Sequence, residues 1–311
     1  MLDLVEAPAP GLPRLTQARA PVTQVISVVN EFGETRSLEI PAERALTVYV
    51  DKRELVTLMT LGVQPEWLVL GYLLNQRLIR AASEVESITV DWEVGAAAVN
   101  THHGIANLAE KTAKRVVTSG CGQGSVFGDL MADVDTIELP PATLTQSALY
   151  GIVNAIRLRD SVYKAAGSVH GCALFQGQAL LMFVEDVGRH NAIDAIAGWM
   201  ALQPNDHPAG SAQQRTGLRA DDKVFYTTGR LTSEMIIKSA QMGVPIVVSR
   251  SGITQMGHTV AQRLNLCAIG RATNKRFLCF SAQERLVLDG LVEVVSRPDA
   301  IDRPDRHAPL I

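Results

Sequence analysis

Val184 to Ala197 (V-E-D-V-G-R-H-N-A-I-D-A-I-A) is the stretch of the chain densest in groups that can do chemistry. Glu185, Asp186, Arg189, His190 and Asn191 crowd around one glycine, Gly188. A turn that only redirects the chain needs a cap and a glycine, whereas all five of these can donate, accept or titrate. The apolar run Ala179–Val184 before them reads as a buried strand, and Ile193, Ile196 and Ala197 after them recur at helical spacing. Ligands of open α/β sheets bind outside the carboxyl ends of strands, so the junction has the composition of a site. A plain helix start, with Asp186 capping and Arg189 solvated, accounts for the same residues.

Three more predicted strands end in a small residue followed by arginine: Gly229-Arg230, Ser249-Arg250 and Gly270-Arg271. With Gly188-Arg189 they place four guanidinium groups on one edge of a parallel sheet. Such groups repel unless an anion sits among them, and arginine's planar fork suits phosphate. Ser249, Ser251 and Thr228 add hydroxyls, and the following helices add N-terminal amides. The expected ligand carries several phosphates, as a nucleotide or a nucleotide-tailed cofactor does. The bland alternative is four surface arginines with local acidic partners.

Cys121 sits in Thr118-Ser119-Gly120-Cys121-Gly122-Gln123-Gly124-Ser125. A structural cysteine packs among apolar neighbours, and three glycines instead suggest a reactive thiol on a loop that can swing between partners. Cys172 alternates with apolar residues and reads as core. His170, at the start of its strand, faces either the site or the interior. Two classes of function follow: Cys121 as a nucleophile that carries a group to a phosphate-bearing ligand, or a binding chaperone for that ligand in which Cys121 is incidental. A zinc hydrolase is disfavoured, because no ligands stand at motif spacing.

The positioning elements follow from pattern. Strands are expected at Val25–Val29, Ala45–Val50, Leu55–Met59 and Val85–Trp92, and Pro65 opens a helix. Gly95 to Gly104 reads as a small, polar stretch, with His102 and His103 solvated. An amphipathic helix spans Leu144–Leu158. His170–Phe175 and the strand leading to Asp186 form a hairpin across Gln176-Gly177-Gln178. From Lys223 onward strands alternate with helices of about ten residues, which implies a largely parallel sheet. The reading closes on a strand at Phe277–Phe280 and a helix over Glu284–Val294. The loop from Pro204 to Asp222 is long enough to be a lid.

With a formal net charge of -3 and a pI near 6.2, global charge does not suit a nucleic-acid or membrane-surface protein. No apolar run reaches a bilayer span, no secretory signal is visible, and the four unpaired-looking cysteines fit a reducing compartment. The expectation is a soluble, cytoplasmic protein. Neither G-x-G-x-x-G nor G-x-x-x-x-G-K-[ST] occurs.

E-D-V-G-R-H-N-A-I-D from Glu185, G-R-L-T-S-E-M-I-I-K-S-A from Gly229 and G-V-P-I-V-V-S-R-S-G-I-T from Gly243 together resemble the formate dehydrogenase accessory family FdhD/NarQ. W-L-V-L-G-Y-L-L from Trp67 and S-G-C-G at Ser119 fit as well, so the likeness covers roughly residues 40 to 290. The resemblance implies a sulfurtransferase of molybdenum-cofactor maturation. It implies a cytidine-deaminase-like α/β sandwich, with a mixed, largely parallel sheet and a smaller β-rich N-terminal part. Residues 1–24 and 297–311 would be flexible tails, 25–140 an α+β part carrying the Cys121 loop, and 141–296 the deaminase-like domain. Cys121 matches the persulfide-bearing cysteine, loaded by a cysteine desulfurase. Arg271, Ala272, Thr273, Asn274, Lys275 and Arg276 match the cofactor-binding segment. The ligand would be the bis-guanine-dinucleotide molybdenum cofactor, the client a formate dehydrogenase, and the assembly a homodimer. His170, Asp186, Arg189 and His190 match further motif positions, and Arg230, Ser249 and Arg250 complete the candidate cofactor set. Many members carry C-x-x-C in the cysteine loop, and here Gly124 replaces the second cysteine. Relay between two loop thiols is therefore unavailable, and the chaperone alternative gains weight.

Overall fold

The computed structural model describes residues 11–106, 108, 116–117, 124–125, 131, 134–204 and 217–290. Its N-terminal half is built on a five-stranded sheet of order β1-β6-β7-β4-β5, from β1 (Arg14–Leu15), β4 (Arg44–Val50), β5 (Arg53–Thr60), β6 (Val85–Asp91) and β7 (Ala96–Thr101). Alternation drives these strands: Leu46, Val48 and Val50 of β4 are fully buried while Thr47 and Tyr49 are not. β2 (Thr23–Val29) and β3 (Thr35–Pro41) form a separate hairpin. Helix α1 (Pro65–Asn75) begins with Pro65 in its first turn, where the missing amide costs no hydrogen bond.

Two expectations fail here. The stretch from Gly95 to Gly104 holds β7, whose Ala97 and Val99 are too small and too short a run to announce a strand but fill the core between β4 and β6. Residues 11–24 are not a loose tail. β1 pairs parallel with β6, and the buried Glu66 accepts from the Thr16 hydroxyl (2.7 Å) and the Ala18 amide (2.9 Å).

β8 (Val116–Val117) with β9 (Gly124–Ser125), and later β10 (Leu144–Thr145) with β17 (Leu286–Val287), form two short separate pairs, distinct from the second sheet. This sheet has six strands: β11 (His170–Gln176), β12 (Ala179–Asp186), β13 (Lys223–Thr227), β14 (Ile246–Ser249), β15 (Cys267–Thr273) and β16 (Arg276–Ser281), in the order β12-β11-β13-β14-β15-β16. β13, β14 and β15 are mutually parallel, and the remaining neighbours are antiparallel. Since β11 opposes both β12 and β13, strands β12, β13, β14 and β15 all point the same way. The fold is thus a mixed α/β structure, and the expected β11–β12 hairpin forms, with His170 opposite Asp186.

Alternate residues of the sheet feed two cores. Cys172, Leu174, Phe225, Val247 and Ala268 face α4 (Arg189–Leu202), α5 (Ser233–Gln241) and α6 (Gln255–Arg263), in an apolar core shared with α1 and the first sheet. Ala173, Phe175, Tyr226, Val248 and Ile269 face α2 (Gln146–Leu158) on the other side. The short α3 (Val162–Ala166) follows α2. The closing helix expected from Glu284 is absent over the described residues to 290. Gln283–Arg285 make one 3₁₀ turn, after which the chain pairs with β10. The cause is tertiary: Arg285 is buried and spends its guanidinium on the carbonyls of Asn265 (3.0 Å) and Pro140 (2.7 Å). Of the 204–222 loop, residues 205–216 lie outside the described set, and Leu218 bonds back to the Met200 carbonyl (2.9 Å).

The two halves meet where α1 crosses α4. A Cβ on Gly71 would lie 1.7 Å from the Asp194 carbonyl oxygen, and one on Gly198 would lie 2.0 Å from that of Trp67. Backbone touches backbone, so neither helix has space for a methyl group. Gly71→Ala is expected to force the helices apart and cost about 1–3 kcal/mol, read as a lowered midpoint in urea unfolding. An unchanged midpoint would show that the crossing tolerates a side chain.

Candidate anion-binding site

Register brings the arginine-bearing turns together. Thr227 stands opposite Ser249, Val248 opposite Ile269, and Cys172 opposite Thr227, so the ends of β12, β13 and β14 and the start of β11 share one edge with Gly270-Arg271, which lie inside β15 rather than after it, since that strand runs on to Thr273. Hydrogen bonding continues past the strand ends and ties one turn to the next. The amide of Thr228 donates to the Gly171 carbonyl (2.9 Å), that of Arg250 to Thr227 (3.0 Å), and that of Arg271 to Ser251 (2.7 Å). The Ser249 hydroxyl donates to the Gly229 carbonyl (2.7 Å) and accepts from the Ser251 amide (2.9 Å). Ser249 therefore shapes the turns, and its hydroxyl is already engaged.

Arg230, Arg250 and Arg271 are exposed along this edge, with Thr273, Asn274, Lys275 and Arg276 exposed on the β15–β16 hairpin beyond it. Ala272 is buried and anchors the hairpin in the α2 core. The turn is further held by the Tyr150 hydroxyl of α2, which donates to the Lys275 carbonyl (3.2 Å). Among the described residues, none of Arg230, Arg250, Arg271, Lys275 and Arg276 forms an ion pair with an acidic side chain. The alternative of locally neutralised surface arginines is not what the edge displays.

Arg189 differs from the other three, being only 3% exposed. It lies against Gly229, where a Cβ would stand 2.6 Å from its Cδ. The glycine before Arg230 thus makes room for the arginine of α4. His170 is half-buried, with Nδ1 3.5 Å from the Thr228 hydroxyl. Burial, then the charges of Arg189 and Arg230, hold its pKa below the ordinary imidazole value. The edge therefore presents a neutral ring among cations.

The remaining predicted residues lie beneath the edge. Asp186 is buried and accepts from the Thr60 hydroxyl, the Leu61 amide (3.2 Å), the Gly188 amide (3.1 Å) and Asn191 Nδ2 (2.8 Å). It joins the end of β5 to the start of α4, close to the simple capping role. Glu185 accepts from the amides of Val162 (2.6 Å) and Tyr163 (3.1 Å) and starts α3. His190 turns inward, with Nε2 3.6 Å from the Glu234 carboxylate, and burial above all pushes its pKa down to about 2. Cys172 is core, as expected. Burial raises its thiol to about 12, and its Sγ donates to Thr227 Oγ1 (3.3 Å). Cys121 lies outside the described residues. Of its loop, Gly124 opens β9 opposite Val117.

Sequence reasoning missed the polar cluster below His190. Lys238 Nζ lies 2.8 Å from Asp194 Oδ2 and 3.7 Å from Glu234 Oε1, while Asn75 donates to Asp194 Oδ1 (2.7 Å). Asp194 and Lys238 have no exposure at all. The pattern hides it: Glu234, Lys238 and Gln241 recur at i, i+4 and i+7 and read as the solvent face of an amphipathic helix.

These features fall within a known family. Residues 41–287 match the FdhD/NarQ family, and the chain belongs to it. It is similar to the sulfur carrier protein FdhD of Bacillus subtilis (strain 168), with 30% identity over 260 residues, 82% of this chain and 94% of that protein. The protein of the same description from Halalkalibacterium halodurans is 26% identical over 276 residues, 88% of this chain and 97% of that one. A crystal structure described as a formate dehydrogenase accessory protein from Desulfotalea psychrophila aligns with a TM-score of 0.64 at 25% identity, over 86% of this chain and 99% of that one. Among the described residues no helix is long and apolar enough to cross a membrane.

Removing one partner of a buried ion pair strands the other. Lys238→Met is expected to cost about 3–5 kcal/mol, measured by denaturant unfolding, with Asp194→Asn/Lys238→Met recovering part of the loss. A single variant as stable as the parent would show that the pair is not formed.

Proposed function

We propose that this chain is a sulfur carrier in formate dehydrogenase maturation, with a nucleotide-tailed molybdenum cofactor held at the arginine edge. The observation that carries the reading is the set of exposed Arg230, Arg250 and Arg271, free of acidic partners among the described residues and bound turn to turn by backbone hydrogen bonds. The likeness to relatives described as sulfur carrier proteins, and to a formate dehydrogenase accessory protein, supports the activity and the client.

In this reading the diphosphates of the guanine dinucleotide tails take charge-assisted bonds from Arg230, Arg250, Arg271 and Arg276. Arg189, buried behind them, adds field without offering a surface contact. His170 supplies a ring that neither repels the phosphates nor competes for the arginines. Sulfur enters at Cys121. Its thiolate attacks the outer sulfur of a persulfide on a cysteine desulfurase, a new S–S bond forms on Cys121, and the desulfurase thiolate leaves. With Gly124 in place of a second loop cysteine, transfer runs through Cys121 alone. The same glycine favours a second reading, in which the protein holds and delivers the cofactor without carrying sulfur.

Two measurements separate these readings. After incubation with a desulfurase and cysteine, intact mass is expected to rise by one sulfur, and the rise should be lost in Cys121→Ala. No rise in either protein would leave the chaperone, and a rise in both would move the carrier role to another cysteine. Arg230→Ala and Arg271→Ala are each expected to weaken guanosine diphosphate binding about 10-fold or more, the worth of a charged hydrogen bond of about 1.5 kcal/mol or above. Affinity equal to the parent in both would take the edge out of the binding site.

A further inference from the structure

The four cysteines include a pair that the sulfur-carrier reading leaves unused. Cys267 begins β15, and Cys279 lies on β16 opposite Ile269. Cys267 and Ile269 are two apart and share a sheet face, as their common place in the α2 core shows. Cys279 is therefore the diagonal neighbour of Cys267, and their Sγ atoms lie 3.8 Å apart. We propose that Cys267 and Cys279 form a thiol–disulfide site at the base of the β15–β16 hairpin, oxidised by a low-molecular-weight disulfide.

Closure asks for a short movement. A disulfide needs its sulfurs about 2.05 Å apart, so they must approach by a little under 2 Å. The strand best able to supply this is β16. It is the outermost strand of the sheet, and its register breaks between the Ala268–Ser281 and Ile269–Cys279 pairs, leaving Phe280 as an extra residue. A bulged edge strand gives way more easily than a central one.

The two thiols divide the work. Cys279 is half-buried, and the hydrogen bond from Cys267 holds its pKa below the ordinary thiol value, which favours the thiolate. Cys267 is fully buried and its pKa is pushed up, first by that same hydrogen bond and then by burial. The Cys279 thiolate attacks one sulfur of the small disulfide, forming a mixed disulfide and releasing one small thiolate. The largest cause holding the Cys267 proton is then gone. Cys267 loses its proton to water, attacks Cys279 Sγ and expels the second small thiolate. Two protein thiols and one disulfide become one protein disulfide and two small thiols, with two electrons passed to the oxidant. The bond would cross-link the strands that carry Arg271 to Arg276, but its formation does not depend on what those residues bind.

The test uses the full chain with Cys121→Ala, treated with oxidised glutathione, denatured in alkylating reagent and weighed intact. One alkyl group, on Cys172, and a loss of two hydrogen atoms are expected in place of three alkyl groups, together with a tryptic cross-link joining Leu264–Arg271 to Phe277–Arg285. Adding Cys279→Ser should abolish both. Adding Cys267→Ser should stop the reaction at a glutathione adduct on Cys279. The proposal is overturned if both thiols remain open to alkylation, if a stable adduct stays on Cys279 while Cys267 is alkylated, or if Cys279 is found joined to Cys172. Cys279 is half-buried in an edge strand, so the Cys279→Ser comparison holds even where Cys267→Ser fails to fold.

Discussion

The crossing of α1 and α4 at Gly71 and Gly198 sets where the rest of the molecule can be. Two helices whose backbones touch have one relative placement within a fraction of an ångström, since neither glycine leaves room for a side chain. Toward its N-terminus α4 runs from that crossing to Gly188 and Arg189, so the depth of the buried arginine at the sheet edge is decided in the interior. At the crossing itself, Asp194 meets Lys238 of α5 and Asn75 of α1 in a fully enclosed cluster. A buried pair of this kind adds little net stability over an apolar replacement. What it does is penalise every arrangement in which α1, α4 and α5 are not in register, because each would strand a charge.

Charge at the edge is graded by depth. Arg230, Arg250 and Arg271 are in water, where mutual repulsion is screened over about 8 Å and costs little. Arg189 cannot be screened in that way, and its effects on neighbours are correspondingly visible. It helps depress both His170 and His190. An anion bound at the rim gains from both populations: direct bonds from the exposed arginines, and the less screened field of the one behind. The polar atoms that might compete are already engaged, Ser249 with Gly229 and Asp186 with four donors at the β5–α4 junction.

The arginine edge was legible because its signal is topological: a small residue and an arginine beyond the ends of three strands and, at the same level, inside β15, all four strands pointing one way. The C-terminal alternation of strand and helix was legible for the same reason, as each apolar run is bounded by a glycine, a proline or a cap. Depth was not legible. Nothing in G-R-H-N separates Arg189, sunk against Gly229, from Arg230 in solvent, because burial is decided by a partner forty residues away. Asp186 and His190 entered the candidate set by the composition of their junction and by matching the family's motif positions, and tertiary contacts with Thr60, Leu61 and Glu234 draw them inward. β7 was missed because alanines carry almost no strand signal. The closing helix was misjudged because a buried Arg285 outweighs the periodicity of the residues around it.

Cys172 shows why proximity to arginine does not by itself make a reactive thiol. It lies one strand step below the edge, yet burial raises its thiol to about 12 and outweighs the nearby charge of Arg189, which lowers it. A thiol gains thiolate character from nearby cations only while water still solvates the anion. The same balance separates Cys279, half-buried at an edge strand, from the enclosed Cys267 beside it. Of the four cysteines only Cys121 stands in a run of glycines rather than in a strand-forming apolar run, and the carrier role proposed for it rests on that sequence context.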